Sequence, residues 1–317
     1  MNLYNWTKFY IDNVLKTKIK IKTFDCYTFI LEKHIKPTIG NIELEDLSYI
    51  TLQKFINDLK ESGNLKNKHE LSTSTIRLIF SLIKQALLHA EKIGIYKNEH
   101  LSLVSLPKGH PAEIYPFTIS EQNKIINFCL SSNKPNYIGI VICFYTGIRI
   151  GELLSLRWDD IDFRQRLIRI THTQVLTQKN GKHIYLLDNP KSSSSKRMIP
   201  MNDLIYYKLK VMKLKSESRY IICTKSQNMV SVRSYQRTFK SILSKLNIPS
   251  RGFHSIRHTF ITRALECGID PKTTSKIAGH SNVNITLNKY THISFENEVK
   301  AIKKIYRSYK PYNQNNY

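Results

Sequence analysis

The stretch RLIRITHTQVLTQKNGKHIYLLDNPKSSSSKRMIPM, residues 166–201, is where the periodicity of the chain changes. RLIRITHTQVL and HIYLLD are short β-like runs, rich in β-branched and other apolar residues. Asn180-Gly181 lies between the two runs, and this dipeptide favours the left-handed backbone of a tight hairpin turn. A third short run, RMIPM, follows the loop NPKSSSSK. Together they predict one small antiparallel sheet.

Outward from this stretch the spacing is helical. Towards the N-terminus, NLYNWTKFYIDNVL, TFDCYTFILEKHI, TLQKFINDLKES and STSTIRLIFSLIKQALLHAEKIG carry apolar residues three and four apart. Gly63 and Gly94 follow two of these segments at C-cap positions. LPKGHPAEIYPF contains Pro107, Pro111 and Pro116, which cannot stay helical for long. The expected organisation is a helical domain over 1–106, a linker over 107–116 and a larger domain over 117–317. The larger domain opens on Thr118-Ile-Ser-Glu121, a capping box, and its next apolar helix ends at Gly147. From about Asp203 the chain returns to helices, including SVRSYQRTFKSILSKL and SIRHTFITRALEC. The fold class is therefore mainly α with a small antiparallel β-sheet.

Charge narrows the function classes. There are 49 Lys and Arg against 24 Asp and Glu, a net charge of +25 over 317 residues. Such an excess suits nucleic acid, where phosphate neutralisation supplies affinity. The bland reading is a lysine-rich solvated surface, but compositional bias alone would not remove the matching acids. The five cysteines are scattered without a C-x-x-C pair, and read as small core residues in a reducing compartment. No apolar run approaches the ~18 residues of a membrane span, and the amphipathic N-terminus is no secretory signal. A cytoplasmic, nucleoid-associated protein with no membrane contact is expected.

Four segments carry chemistry-bearing residues: TGIRIGEL (146–153), NPKSSSSKR (189–197), HSIRHTF (254–260) and GHSNVNITLNKYTH (279–292). Taken singly each is weak. An arginine after a helix-ending glycine is usually a surface residue, and most of 18 tyrosines belong to cores. His254 and His258, four apart, have the spacing of a metal pair but lack an acidic third ligand. Together the segments describe phosphoryl transfer. Planar guanidinium groups, here Arg149 and Arg257, clamp the oxygens of a phosphodiester under attack. A phenol with a pKa of ≈10 needs help to lose its proton, and histidine is the natural partner. The leaving 5′-oxygen needs a proton, which Lys191 or Lys196 of one loop can supply. Asp159, Asp160 and Asp162 form the densest acidic run and read as turn and capping residues, so a two-metal nuclease site is not expected. No phosphate-binding glycine loop of the nucleotide hydrolases is present.

The order Arg149, Lys191, His254-x-x-Arg257, Gly279-His280, Tyr290 resembles the tyrosine recombinase (phage integrase) family. The resemblance implies a SAM-like helical core-binding domain and an α+β catalytic domain, forming a C-shaped clamp on DNA. No arm-binding domain is expected ahead of the core-binding helices. By resemblance, Arg149 and Arg257 activate the scissile phosphate, Lys191 is the general acid, His254 assists the tyrosine and His280 bonds the phosphate. Glu152 supports the site, and Tyr290 forms a 3′-phosphotyrosine link. No metal or other cofactor is implied. The implied partners are double-stranded DNA recombination sites, a homo-tetramer on that DNA, and an excision factor or DNA-bending protein. Phe295, Val299, Ile302 and Tyr306 share one face of a terminal helix, which in the family docks on a neighbouring subunit. The expected activity integrates or excises a mobile element. Alternatives are a Xer-like resolution of chromosome or plasmid dimers and a non-catalytic DNA-binding regulator on the same scaffold.

Overall fold

A computed structural model describes residues 1–65, 69–97, 101–109, 115–179, 182–188, 196–280 and 282–284. The chain divides into two compact units, 1–112 with 176–184, and 113–175 with 185–317.

In the first unit, α1 (Leu3–Phe9) and α2 (Ile21–Ile30) each run on into a wider turn, Tyr10–Leu15 and Leu31–Ile35. There Lys36 N–H reaches back five residues to Leu31 O at 2.9 Å. α3 (Tyr49–Ser62) and α4 (Thr73–Lys92) begin on Ser48 and Ser72, whose side chains accept the Thr51 and Thr75 N–H groups. On α4 the face Ile76, Ile79, Phe80, Ile83, Ala86, Leu87 and Ala90 is buried, the helical stripe that the sequence spacing predicts. Trp6 is buried from α1 and donates its indole N–H to Ala86 O at 2.7 Å. Gly63 caps α3 with right-handed backbone, whereas Gly94 adopts φ +77°.

The second unit is built around α6 (Ile138–Thr146), buried along nearly its whole length. It packs against α5 (Ile119–Ser131), α7 (Ile150–Ser155), α8 (Asp203–Leu214) and α10 (His254–Glu266). α9 (Val232–Lys245) adds Tyr235, Phe239, Ile242 and Leu243 to the same core. Thr118 and Glu121 form the expected capping box on α5. Arg251 bonds Glu121 at 2.7 and 3.1 Å; burial alone would raise the Glu121 carboxyl, but this ion pair and the Thr118 N–H hold it below the usual carboxylate range. α11 (Pro271–Ala278) packs on α10 and starts on Asp270, which caps Thr273 N–H at 2.9 Å.

The β elements differ from expectation in one respect. β1 (Ile161–Asp162), β2 (Leu167–Ile170) and β5 (Arg197–Pro200) make a three-stranded antiparallel sheet, with Ile168 opposite both Ile161 and Ile199. β3 (Thr173–Lys179) and β4 (Lys182–Asp188) form a separate two-stranded sheet. The run 166–176 therefore serves two sheets, broken at Thr171-His172. Ser155 Oγ donates to His172 O at 2.8 Å, which takes that carbonyl off the ladder, and the Thr171 side chain beside it donates to Asp160 at 2.9 Å. Asn180 and Gly181 lie outside the described residues. Asp160 and Asp162 are turn and capping residues, accepting the N–H groups of Arg157, Arg164 and Gln165. Of the cysteines, Cys129 and Cys143 are buried, and burial pushes the Cys129 thiol up to about 12. Cys267 departs from the expected core role, because it is exposed. Among the described residues no helix is long and apolar enough to cross a membrane.

Candidate active site

α6 has to stop where the chain turns towards α7, and Gly147 makes the stop with φ +64°. A Cβ there would also strike the Phe260 ring at 2.3 Å, so the position is closed to other residues twice over. Ile148 is then buried, and Arg149 sits at the N-cap of α7 in extended backbone. Arginine has no acceptor to offer the helix, so only half of a capping box forms: Glu152 accepts Arg149 N–H at 2.9 Å. The other Glu152 oxygen takes Arg149 Nη1 at 2.8 Å.

Glu152 has a second cationic partner. Arg197, the first residue of β5, donates Nη2 and Nη1 to its two oxygens at 2.9 and 3.3 Å. The two side chains are 5% and 3% exposed, which makes this a buried pair rather than a surface one. Burial alone would raise the Glu152 carboxyl. The Arg197 hydrogen bonds and charge, then the Arg149 N–H and charge, outweigh it and hold the group below the usual carboxylate range.

The same arginines converge on the end of α11. Arg197 Nε donates to Ile277 O at 2.6 Å, Arg257 Nη1 to Ala278 O, and Arg149 Nη2 to Gly279 O at 2.6 Å. Arg257 also donates to Gly147 O at 2.8 Å, so it ties the α6 terminus to the α11 terminus. The last carbonyls of a helix lack intrahelical donors and carry the negative end of its dipole, which is why three guanidinium groups gather there. Gly279 leaves the helix with φ +72°, and His280 N–H returns to Ser275 O at 3.0 Å. The half-buried His280 side chain thus follows a backbone held by arginines from three elements. Among the described residues one carboxylate, Glu152, faces the three guanidinium groups. Arg257 is buried, whereas the Arg149 side chain is 38% exposed and presents an open flank. Such a flank is chemically suited to an anionic oxygen.

Of the residues expected from the sequence, Arg149, Glu152, Arg257 and the Gly279-His280 step come together here. His254 lies one turn before Arg257 at the start of α10, exposed, with its ring 4.7 Å from that of buried His258 and edge-on to it. Lys196 is exposed directly before Arg197. Lys191, Tyr290 and the terminal segment with Phe295, Val299, Ile302 and Tyr306 lie outside the described residues. Sequence reasoning passed over Arg197, although a signal existed. In RMIP the strand period puts Arg197 on the face of buried Ile199, with exposed Met198 opposite.

An apolar α+β core that carries an arginine cluster at a helix end is chemically suited to a phosphate-like anion. Residues 117–297 match the phage integrase family, and residues 2–60 match the N-terminal SAM-like domain of phage integrases. The chain belongs to the phage integrase family, that of the tyrosine recombinases. It is 29% identical over 320 residues to a XerC-like tyrosine recombinase of Caldanaerobacter subterraneus subsp. tengcongensis, covering 92% of this chain and 79% of that one. It is 31% identical over 206 residues to the transposase of transposon Tn916 from Enterococcus faecalis, covering 59% of this chain and 50% of that one. Among solved structures, the Tn1549 transposon integrase in complex with transposon right end DNA superposes with a TM-score of 0.79 at 25% identity, covering 96% of this chain and 100% of that one. A lambda integrase tetramer bound to a Holliday junction shares the fold, with a TM-score of 0.63 at 20% identity over 89% of this chain and 78% of that one.

Proposed function

We propose that this recombinase cuts and rejoins double-stranded DNA at specific sites, with Tyr290 as nucleophile and a 3′-phosphotyrosine intermediate. The observation that carries this reading is the convergence of Arg149, Arg257 and the Gly279-His280 step in one arginine cluster. Arg149 and Arg257 stabilise the charge that gathers on the phosphate as the phenol attacks. His280 bonds a phosphate oxygen, His254 assists removal of the tyrosine proton, and Lys191 protonates the leaving 5′-oxygen. Glu152 orients Arg149. The covalent link conserves the energy of the broken phosphodiester, so rejoining needs neither nucleotide nor metal.

The substrate we infer is a pair of sites at the ends of a mobile element, in keeping with the transposon relatives. Four copies act on two duplexes and exchange strands through a Holliday junction, as the lambda integrase assembly suggests, with an excision factor or DNA-bending protein assisting. The segment carrying Phe295, Val299, Ile302 and Tyr306 links neighbouring copies. The XerC-like relative favours a second reading, resolution of chromosome or plasmid dimers at the same chemical site.

The test is incubation with nicked suicide duplexes from the element's ends, in EDTA, followed by denaturing gels. A protein–DNA adduct is expected for the wild type and none for Tyr290→Phe, with DNA affinity nearly equal. An adduct that survives in Tyr290→Phe, or that requires a divalent cation, overturns the mechanism. Plasmids carrying element ends or dimer-resolution sites then separate the two biological readings.

A further inference from the structure

We propose that Arg197 is a positioning residue for strand cleavage, a strut that sets Arg149 and the Gly279-His280 step at the spacing a scissile phosphate requires. The inference rests on the cleavage reaction proposed above. Its basis is that one guanidinium spans two site elements from a third. Its Nη atoms hold Glu152, which in turn holds both the backbone and the side chain of Arg149. Its Nε holds Ile277 O at the end of α11. A Cβ built on Gly279 would fall 2.6 Å from Arg197 Nη1, so the backbone just before His280 rests directly on the guanidinium.

The strut stands on a rigid element. Arg197 pairs with Ile170 and Ile199 with Ile168, so β5 is tied into the apolar core of its unit. A buried ion pair is a poor way to gain stability, since apolar residues of equal volume commonly serve as well. Its geometric effect is harder to replace. Lysine, a single point charge on a flexible stem, cannot bridge both carboxylate oxygens and a carbonyl at once. The exposures separate two jobs, with Arg197 enclosed at 5% and Arg149 open at 38%. Arg197 holds the geometry and Arg149 meets the phosphate.

The experiment is single-turnover cleavage of a suicide duplex by the full chain, as wild type, Arg197→Met, Arg197→Lys, Arg149→Ala and the two double variants. DNA affinity and thermal unfolding are measured alongside. Both single Arg197 variants are expected to cleave on the order of 100-fold more slowly, the effect of a misplaced catalytic group, with binding nearly unchanged. In the Arg149→Ala background the further loss should shrink to roughly tenfold or less, because the two residues act through one chain of contacts. A substitution that merely loosened the fold would multiply with Arg149→Ala in full, and that result overturns the proposal. Wild-type rates in a folded Arg197→Lys overturn it too, and this charge-preserving variant carries the test if Arg197→Met does not fold. A wild type that forms no adduct defeats the cleavage reading itself, and the positioning role with it.

Discussion

The two units keep their buried interiors in opposite ways. In the first, the buried polar side chains among the described residues are Thr7 and His34, and no buried residue there is an acid, a lysine or an arginine. In the second, Glu152, Asp160, Arg257 and His258 are buried beside an equally apolar core, and the Arg197 side chain is enclosed with them. The first interior is held by apolar area removed from water, an effect without directional demands. The second contains charges whose stability depends on partners at bonding distance, so its geometry is set sharply. The lesson is that the charged cluster is kept for what it positions, while the apolar unit is kept for what it excludes.

Each unit contains one buried tryptophan, Trp6 and Trp158, so Trp158→Phe and Trp6→Phe leave a reporter for one unit at a time. The largest effect is expected from Glu152→Ala, which removes the carboxylate partner of the buried Arg197 guanidinium and should cost the second unit about 3–5 kcal/mol. Denaturant curves followed by Trp158 should shift and those followed by Trp6 should not. Equal shifts in both would dissolve the contrast between the units. The double variant Glu152→Met with Arg197→Met should recover most of that stability while cleavage stays impaired.

Leu82→Ala, at a fully buried position of α4, should move the Trp6 curve by about 2–5 kcal/mol through lost burial and the cavity left behind. Acid should sharpen the contrast further. The carboxyls of Glu152 and Glu121 are held below their unfolded values, so their contribution is present above the unfolded carboxylate range and is lost as pH falls through the depressed folded values. The Trp158 curve should therefore weaken on acidification more than the Trp6 curve, and Glu152→Gln should flatten that slope. Glu32 in the first unit is held low too, first by Tyr4, but it lies at the surface where water screens the gain. Smaller still is Thr118→Ala, which removes the cap of α5 and should cost about 1 kcal/mol on the Trp158 curve. Lys36→Ala breaks the exposed pair with Glu32 at 3.2 Å and the contact of its ammonium with the Tyr4 ring at 4.9 Å, and should cost at most about 1 kcal/mol.

These contrasts track what was legible in the sequence. The helices of the first unit show themselves through three- and four-residue spacing because a single apolar face decides them. The Thr118–Glu121 box and the Gly147 stop were equally readable, since each is a local matter of one turn of backbone. Arg149, Glu152 and Arg257 could be named from the order of motifs, while their distances could not. Arg197 escaped notice because an arginine after a serine-rich loop looks solvated until its partners are known. The split of 166–176 between two sheets was equally hidden, because Thr171 and Ser155 draw their bonds from residues outside the strand pattern.

By itself, then, the amino-acid sequence determined the helical segments, the caps, the basic charge and the identity of most chemistry-bearing residues. All of these depend on neighbours a few positions away or on composition alone. Only the tertiary structure decided that Arg149, Arg197 and Arg257, from three distant segments, share Glu152 and the last carbonyls of α11. The physical reason is that a buried charge takes its energy from partners at about 3 Å, and chain folding, not sequence spacing, brings those partners within reach.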